Sequence, residues 1–314
     1  MTRGLACHRY VYGGLQIVAD AALERLSPTA DGAAADIEIS FRRLGAPPKR
    51  ERQLYALPGR FQLSLWTSGP DWVFRSAALD EDVLVSADGR VIRCFPRGAP
   101  STGLAEFLIR RVLPRVAQLH GRLTLHAGLV LGPHGALLLT GPSGAGKSTL
   151  TTALGLMVGW RQLSDDISIL SPDGGGVWAS APGAYLTPSS AAGLGFDQSE
   201  GGGDPSHSGK AWFGVGAGSH APPPIAGLLF LARRPNAAPP RLVAVPRPQA
   251  FAALQPQLIA FDPSNATMSA QLFGRFGRLV GQMSCYQLDY PSDYAALPAV
   301  AAALATAGAP VPVA

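Results

Sequence analysis

The sequence predicts an α/β domain over residues 101–314, preceded by an antiparallel β-rich subdomain over residues 1–100, and three observations carry that reading. Short segments of alternating polarity, separated by turn residues, fill the first hundred positions. An apolar strand, Ala136 to Leu139, runs directly into a glycine-rich stretch with a helical pattern behind it. Beyond it, isolated apolar runs at 167–170 and 225–232 alternate with helical patterns, as strands of a covered sheet do.

Ile37-Glu38-Ile39-Ser40-Phe41 alternates at period two, and Phe61 to Trp66 and Trp72 to Phe74 follow. Val83 to Ser86 and Arg90 to Cys94 flank Asp88-Gly89, a dipeptide suited to a tight hairpin turn with positive φ. From Thr102 to about Gln118, Leu104, Phe107, Leu108, Val112 and Val116 recur at helical spacing, with Pro114 expected to kink or shorten the helix, which is read as a link between the two parts. Leu123 to Leu131 and Ala136 to Leu139 read as two strands separated by Gly132-Pro133-His134-Gly135. The Gly/Ser/Pro-rich tract from Gly193 to Pro224 has little to bury and reads as a mobile flap or surface loop. Helical patterns at 248–254 and 294–307 complete the chain.

Composition narrows the class. With 314 residues, 47% of them hydrophobic, a sizeable core is available and disorder is not expected outside the Gly- and Pro-rich loops. A net charge of +5, spread out rather than gathered into one run, argues against nucleic acid as the main partner. Cys7, Cys94 and Cys285 are odd in number and far apart, which suggests neither a disulfide framework nor a zinc site. No apolar run is long enough to span a bilayer and no signal-type segment is evident, so the expectation is a cytoplasmic protein without a membrane partner.

Residues 141–149 read Gly141-Pro142-Ser143-Gly144-Ala145-Gly146-Lys147-Ser148-Thr149 and match G-x-x-x-x-G-K-[ST] without a mismatch. Such a loop turns successive backbone N–H groups inward onto phosphate oxygens, and the positive end of the following helix adds to the attraction. Lys147 supplies a point charge to the β- and γ-phosphates, and the Ser148 hydroxyl is the expected Mg²⁺ ligand. The motif predicts a nucleoside triphosphate, ATP, with Mg²⁺; motors, transporters and GTPases share it, so it does not by itself define a kinase.

Asp165-Asp166 follows soon after, between Leu163-Ser164 and the apolar Ile167 to Leu170. Two adjacent like charges are unfavourable unless a cation is near, and a metal beside Ser148 removes the conflict. One carboxylate can then hold Mg²⁺ while the other accepts the proton of an attacking hydroxyl. Lys210 and the pair Arg233 and Arg234 could lend positive charge to a transferring phosphate, although each reads first as a surface residue.

Leu125-His126-Ala127-Gly128, the loop from Gly141 to Thr149, and Leu163-Ser164-Asp165-Asp166, in that order and at short separations, resemble the HPr kinase/phosphorylase family. The resemblance is closer to the HPr-kinase-related kinases and extends to the kinases that tailor lasso peptides. It covers residues 123–172 well, with a weaker echo at Leu288-Asp289-Tyr290. It implies a phosphate-binding-loop kinase domain related to phosphoenolpyruvate carboxykinase, and ATP-dependent phosphorylation of a hydroxyl, often serine. It also implies that Asp165 and Asp166 divide the metal and base roles, with Asp166 favoured as the base and Asp165 as the metal carboxylate but the sequence leaving the order open, and that His126 stands beside the aspartates. Relatives form rings, which implies a possible homo-oligomer. The acidic, arginine-bearing signature that full HPr kinase/phosphorylases carry after the aspartates has no counterpart here, so HPr itself is not implied as substrate.

The acceptor is therefore expected to be a hydroxyl of a peptide, a protein or a small molecule. The alternative is a nucleotide-gated regulatory module or ATPase switch without an acceptor. Neither an N-K-x-D guanine-reading element nor an L-S-G-G-Q transporter signature is present, which favours the kinase.

Overall fold

The computed structural model describes residues 7–30, 32–42, 46–96, 101–197, 201–202, 209–214, 221–234 and 239–306. It is mixed α/β with several sheets and mostly β, and it divides into two compact units, residues 1–122 with 260–272, and residues 123–259 with 273–314.

The first unit holds a nine-stranded sheet in the order Ser27–Pro28, His8–Tyr12, Leu15–Ala19, Ile37–Phe41, Val91–Phe95, Glu81–Val85, Asp71–Ser76, Leu63–Ser68, Gln53–Leu57. The expected purely antiparallel subdomain is corrected to a mixed sheet. Ile37–Phe41 runs parallel to both of its neighbours, because the chain enters it by a crossover from Ala19 and returns to Val91 only after the hairpins at 53–85. Alternation puts Leu15, Ile17, Ile37, Ile39, Leu63, Leu65, Val83, Val85 and Ile92 in the core. Gly13 and Gly14, both at positive φ, close the first hairpin in two residues between Tyr12 and Leu15. The hairpin at Asp88-Gly89 instead uses a wider loop from Ser86 to Val91 in which only Gly89 is left-handed.

The division falls at 122/123 rather than at 100/101, because the helical stretch 102–119 packs into the first unit. The Tyr12 hydroxyl donates to the Ile109 carbonyl at 2.9 Å, and Phe107 lies against Phe61 with ring centroids 5.4 Å apart. The buried Glu106 carboxylate is ion-paired to Arg25, Arg60 and Arg110. Pro114 neither ends the helix nor stands alone in it. The turn before it, Leu108–Val112, widens to π geometry between Thr102–Phe107 and Leu113–Leu119, which relieves the clash of the proline ring with the preceding turn.

The second unit is centred on a six-stranded sheet in the order Arg161–Ser164, Gly128–Gly132, Gly135–Thr140, Ile225–Arg234, Cys285–Pro291, Arg241–Ala244. The three middle strands Gly135–Thr140, Ile225–Arg234 and Cys285–Pro291 are parallel, and the outer pairings are antiparallel. Helices Lys147–Val158 and Leu297–Thr306 share one apolar cluster with these strands through Leu150, Ala153, Leu154, Val300 and Leu304 against Leu139, Leu229, Leu231 and Leu288. The segment read as one strand from 123 to 131 is two. Leu123–Leu125 joins a three-stranded sheet with Ser168–Leu170 and Val177–Ala179, while Gly128–Gly132 joins the main sheet, and His126-Ala127 is the break between them. A ribbon of Ala184–Leu186 and Ala211–Phe213 follows. Much of the proposed flap, 198–200, 203–208 and 215–220, lies outside the described residues. Among the described residues no helix is long and apolar enough to cross a membrane.

Candidate functional site

Strand direction assembles the site. Gly135–Thr140, Ile225–Arg234 and Cys285–Pro291 all end at the same edge of the sheet, Arg161–Ser164 also ends there, and the antiparallel Gly128–Gly132 begins there. Segments far apart in sequence thus converge: His126 to Gly128, the loop after Thr140, Asp165-Asp166, Arg233-Arg234 and Asp289-Tyr290. The carboxyl ends of parallel strands are where open α/β sheets bind ligands.

The loop has the backbone its glycines foretell. Gly141, Gly144 and Gly146 take φ of 152°, 83° and 93°, values that favour glycine. A Cβ on Gly146 would lie 2.5 Å from the Tyr290 hydroxyl oxygen, so a side chain there would have to displace the tyrosine or the loop. The first turn of helix Lys147–Val158 leaves the N–H groups of Lys147, Ser148 and Thr149 without intrahelical acceptors, and the first bond into the helix is Leu150 N–H to the Gly146 carbonyl. The buried Lys147 Nζ donates to the carbonyls of Gly141 at 2.8 Å and Pro142 at 3.4 Å, which sets its charge across the loop. The Thr149 hydroxyl is buried and donates to Ser190 Oγ at 3.1 Å, so what Thr149 offers a phosphate is its N–H.

Asp165 and Asp166 occupy a tight connection between Arg161–Ser164 and Ser168–Leu170, held by Ser164. The Ser164 hydroxyl donates to the Ile167 carbonyl at 2.7 Å and accepts from the Ile167 N–H at 3.3 Å. Asp165 is buried, and its Oδ2 accepts from the Tyr185 N–H at 2.8 Å. Asp166 is more open, and its Oδ1 lies 3.0 Å from His126 Nδ1. The His126 N–H donates to the Gln257 carbonyl at 2.8 Å, which fixes the backbone of the break. Gly128 permits the approach: a Cβ there would fall 2.7 Å from Thr151 Cγ2 and 3.3 Å from the Asp165 carbonyl oxygen.

Burial pushes the Lys147 ammonium below the ordinary lysine range; Asp166 opposes this, Lys210 adds to it, and Asp165 opposes it. The lysine of the loop, both aspartates and Lys210 therefore share one electrostatic neighbourhood. Lys210 arrives on the two-stranded ribbon, next to Ala211 opposite Leu186, beside the Tyr185 that binds Asp165.

Among the described residues no group of three or more His, Cys, Asp or Glu side chains could cage a metal. What the site offers is a serine hydroxyl and carboxylate oxygens, hard donors of the kind Mg²⁺ takes one or two at a time, with phosphate completing the shell. That donor set fits the metal the motif implies.

Gly128, Tyr185, Ser190 and Tyr290 carry structural duties at the site that sequence reading did not give them. Arg233, read first as a surface residue, and Tyr290, read only as part of a weak echo, both sit at the carboxyl end of an apolar strand parallel to the one that feeds the loop. No protein-family model matches the chain, and no curated protein matches it.

Proposed function

We propose that this protein is an ATP- and Mg²⁺-dependent phosphotransferase that moves the γ-phosphoryl group onto a hydroxyl of a peptide, a protein or a small molecule. On this reading the second unit is a phosphate-binding-loop kinase domain of the type its motifs resemble. One observation carries the proposal: a complete phosphate-binding loop shares a sheet edge with a carboxylate–imidazole pair that stands in the field of the loop's own lysine.

The roles follow from the chemistry of each group. The N–H groups of the loop and of the first helical turn, with Lys147, bind the phosphates. Ser148 Oγ and the buried, immobilised Asp165 are the metal donors, and Mg²⁺, when bound, neutralises charge on the phosphates. Asp166, the more open of the two, is the base that takes the acceptor's hydroxyl proton. With its proton on Nδ1, His126 donates to Asp166 Oδ1 and holds the other oxygen toward the acceptor.

A nucleotide switch needs no base for a second substrate, so the Asp166–His126 pair favours transfer over switching. Incubation of the pure chain with γ-labelled ATP, Mg²⁺ and serine-containing peptides or small alcohols should give a labelled acceptor. Asp166→Asn should abolish labelling and leave nucleotide binding largely intact. Label release as inorganic phosphate at the same rate with and without every acceptor would support the switch instead, and transfer by Asp166→Asn at the wild-type rate would remove Asp166 as the base.

A further inference from the structure

Lys147 faces two carboxylates, Asp165 and Asp166, and a Mg²⁺–triphosphate complex is itself anionic. Taken alone, these residues would leave a net negative site receiving a negative ligand, an arrangement that costs affinity in a partly buried pocket. Lys210 adds one positive charge to this neighbourhood, which offsets the two aspartates together with Lys147 but leaves the charge of the ligand itself unmatched. The end of strand Ile225–Arg234 carries two arginines, and neighbouring residues on a strand point to opposite faces of the sheet.

The structure separates them. Arg234 Nε and Nη2 each lie 3.0 Å from Asp289 Oδ1, which also accepts from Gln287 Nε2 at 2.9 Å, so Arg234 is neutralised within its own sheet. Arg233, one residue earlier, turns to the loop. Its Nη1 donates to the Gly144 carbonyl at 3.3 Å, and its Nε is 3.4 Å from where a Cβ on Gly146 would be. The guanidinium of Arg233 also acts on the hydroxyl of Tyr290, its register partner on the parallel neighbour Cys285–Pro291, and both groups lie against Gly146. Tyr290 is buried, and its hydroxyl in turn donates to the Ala145 carbonyl.

We propose that Arg233 is a second phosphate-binding cation of this site, supplied from the end of the strand beside the loop and positioned by Tyr290, with the terminal phosphates of a nucleoside triphosphate as its ligand. The proposal rests on the nucleotide-binding reading given above. Arg233 is exposed, and its loop contact among the described residues is a neutral carbonyl at 3.3 Å, whereas a phosphate oxygen brings a full opposite charge to the guanidinium and can be met by two of its N–H groups at once. The guanidinium thus gains by leaving the rim of the loop for a bound phosphate. Tyr290 keeps it within reach: the phenol is fixed to the loop backbone at Ala145 and holds the arginine from the other side. Burial raises the Tyr290 pKa while Arg233 lowers it, as expected for a buried phenol beside a guanidinium.

Calorimetric titration of the whole chain with Mg²⁺–ATP and with AMP tests this. Arg233→Ala is expected to weaken ATP by about ten-fold or more, the worth of one charge-assisted hydrogen bond, and AMP by much less. Arg233→Lys should restore part of the loss, and Arg234→Ala should bind within about two-fold of wild type. Thermal unfolding of Arg233→Ala should match wild type, since the side chain is exposed. For the positioning role, Tyr290→Phe should raise the KM for ATP several-fold with kcat at saturation nearly unchanged, a split that simple loosening of the core does not produce. If Arg233→Ala binds ATP as tightly as wild type while Lys147→Ala does not, the inference is wrong and the nucleotide reading stands. Absence of heat from the wild-type chain with any nucleoside triphosphate overturns both.

Discussion

The hydroxyl of Tyr290 fills the space beside Gly146 so fully that a Cβ on that glycine would sit 2.5 Å from the phenolic oxygen. The backbone of Gly146 is also left-handed, at φ 93°. Gly144, at φ 83°, has the same backbone preference but open space around it. The pair separates strain from collision. Gly144→Ala should cost only the backbone term, about 1–2 kcal/mol. Gly146→Ala should cost more, about 2–4 kcal/mol by unfolding, and abolish nucleotide binding, since the loop must move off Tyr290. Equal losses for the two variants would mean that Tyr290 gives way freely.

The His126–Asp166 pair makes a kinetic prediction. If His126 orients the base without binding nucleotide, His126→Ala should lower kcat by about 10²-fold and leave the KM for ATP within about two-fold. Asp165→Ala should act differently and raise the Mg²⁺ concentration needed for half-maximal rate, because Asp165 is fixed by the Tyr185 N–H while His126 pairs with Asp166. Steady-state kinetics against ATP and Mg²⁺ check both. A His126→Ala enzyme of normal kcat would leave the histidine a structural residue.

Much of this site was legible because its chemistry is local in sequence. The loop Gly141 to Thr149 is nine consecutive residues, and its glycines adopt the positive φ the motif requires. The convergence of Asp165, Asp166 and His126 is not local, yet it follows from short connections around one strand pair, Gly128–Gly132 with Arg161–Ser164. What stayed hidden depends on long-range register. Arg233 meets Tyr290 only because two parallel strands, far apart in the chain, align residue for residue. Helix Ala266–Gln282 was unread for another reason: Gly274, Gly277 and Gly281 lower its intrinsic propensity, and its existence rests on buried Phe276, Leu279 and Val280. The parallel pairings of Ile37–Phe41 were likewise invisible, since alternation reports which face is buried and not the direction of the neighbour.

The three cysteines are free thiols in unlike environments. Cys7 is exposed, burial raises the Cys94 thiol well above its ordinary range, and burial pushes Cys285 up to about 11 with Arg247 opposing. At pH 8 about one Cys285 in a thousand would be thiolate, and the thiolate is the nucleophile. Titration of the native chain with an aromatic disulfide reagent at pH 8 should therefore show one fast thiol, removed by Cys7→Ser, and two more only on unfolding. Two fast thiols in the native chain would contradict the buried placement of Cys285 or Cys94.

Lys147 links the electrostatics of the loop to ligand binding. Burial holds its folded pKa below the ordinary 10.5, so the native state disfavours the ammonium that the unfolded chain accepts. The sign follows. The cost to stability is fully present below the folded pKa, shrinks as pH rises from that value toward 10.5, and is gone above it. Lys147→Met should accordingly be at least as stable as wild type at pH 7 while losing nucleotide binding, the reverse of what a structural lysine would do. Phosphate near the ammonium favours its charged form and raises the pKa, so ATP binding should draw in protons increasingly as pH climbs from neutral toward the ordinary lysine range. Calorimetry at pH 7 and pH 9 in pairs of buffers with different ionisation enthalpies measures that uptake. A binding enthalpy independent of buffer at pH 9 would show that the phosphates do not reach Lys147, and the proposed geometry of the loop with its ligand would then be wrong.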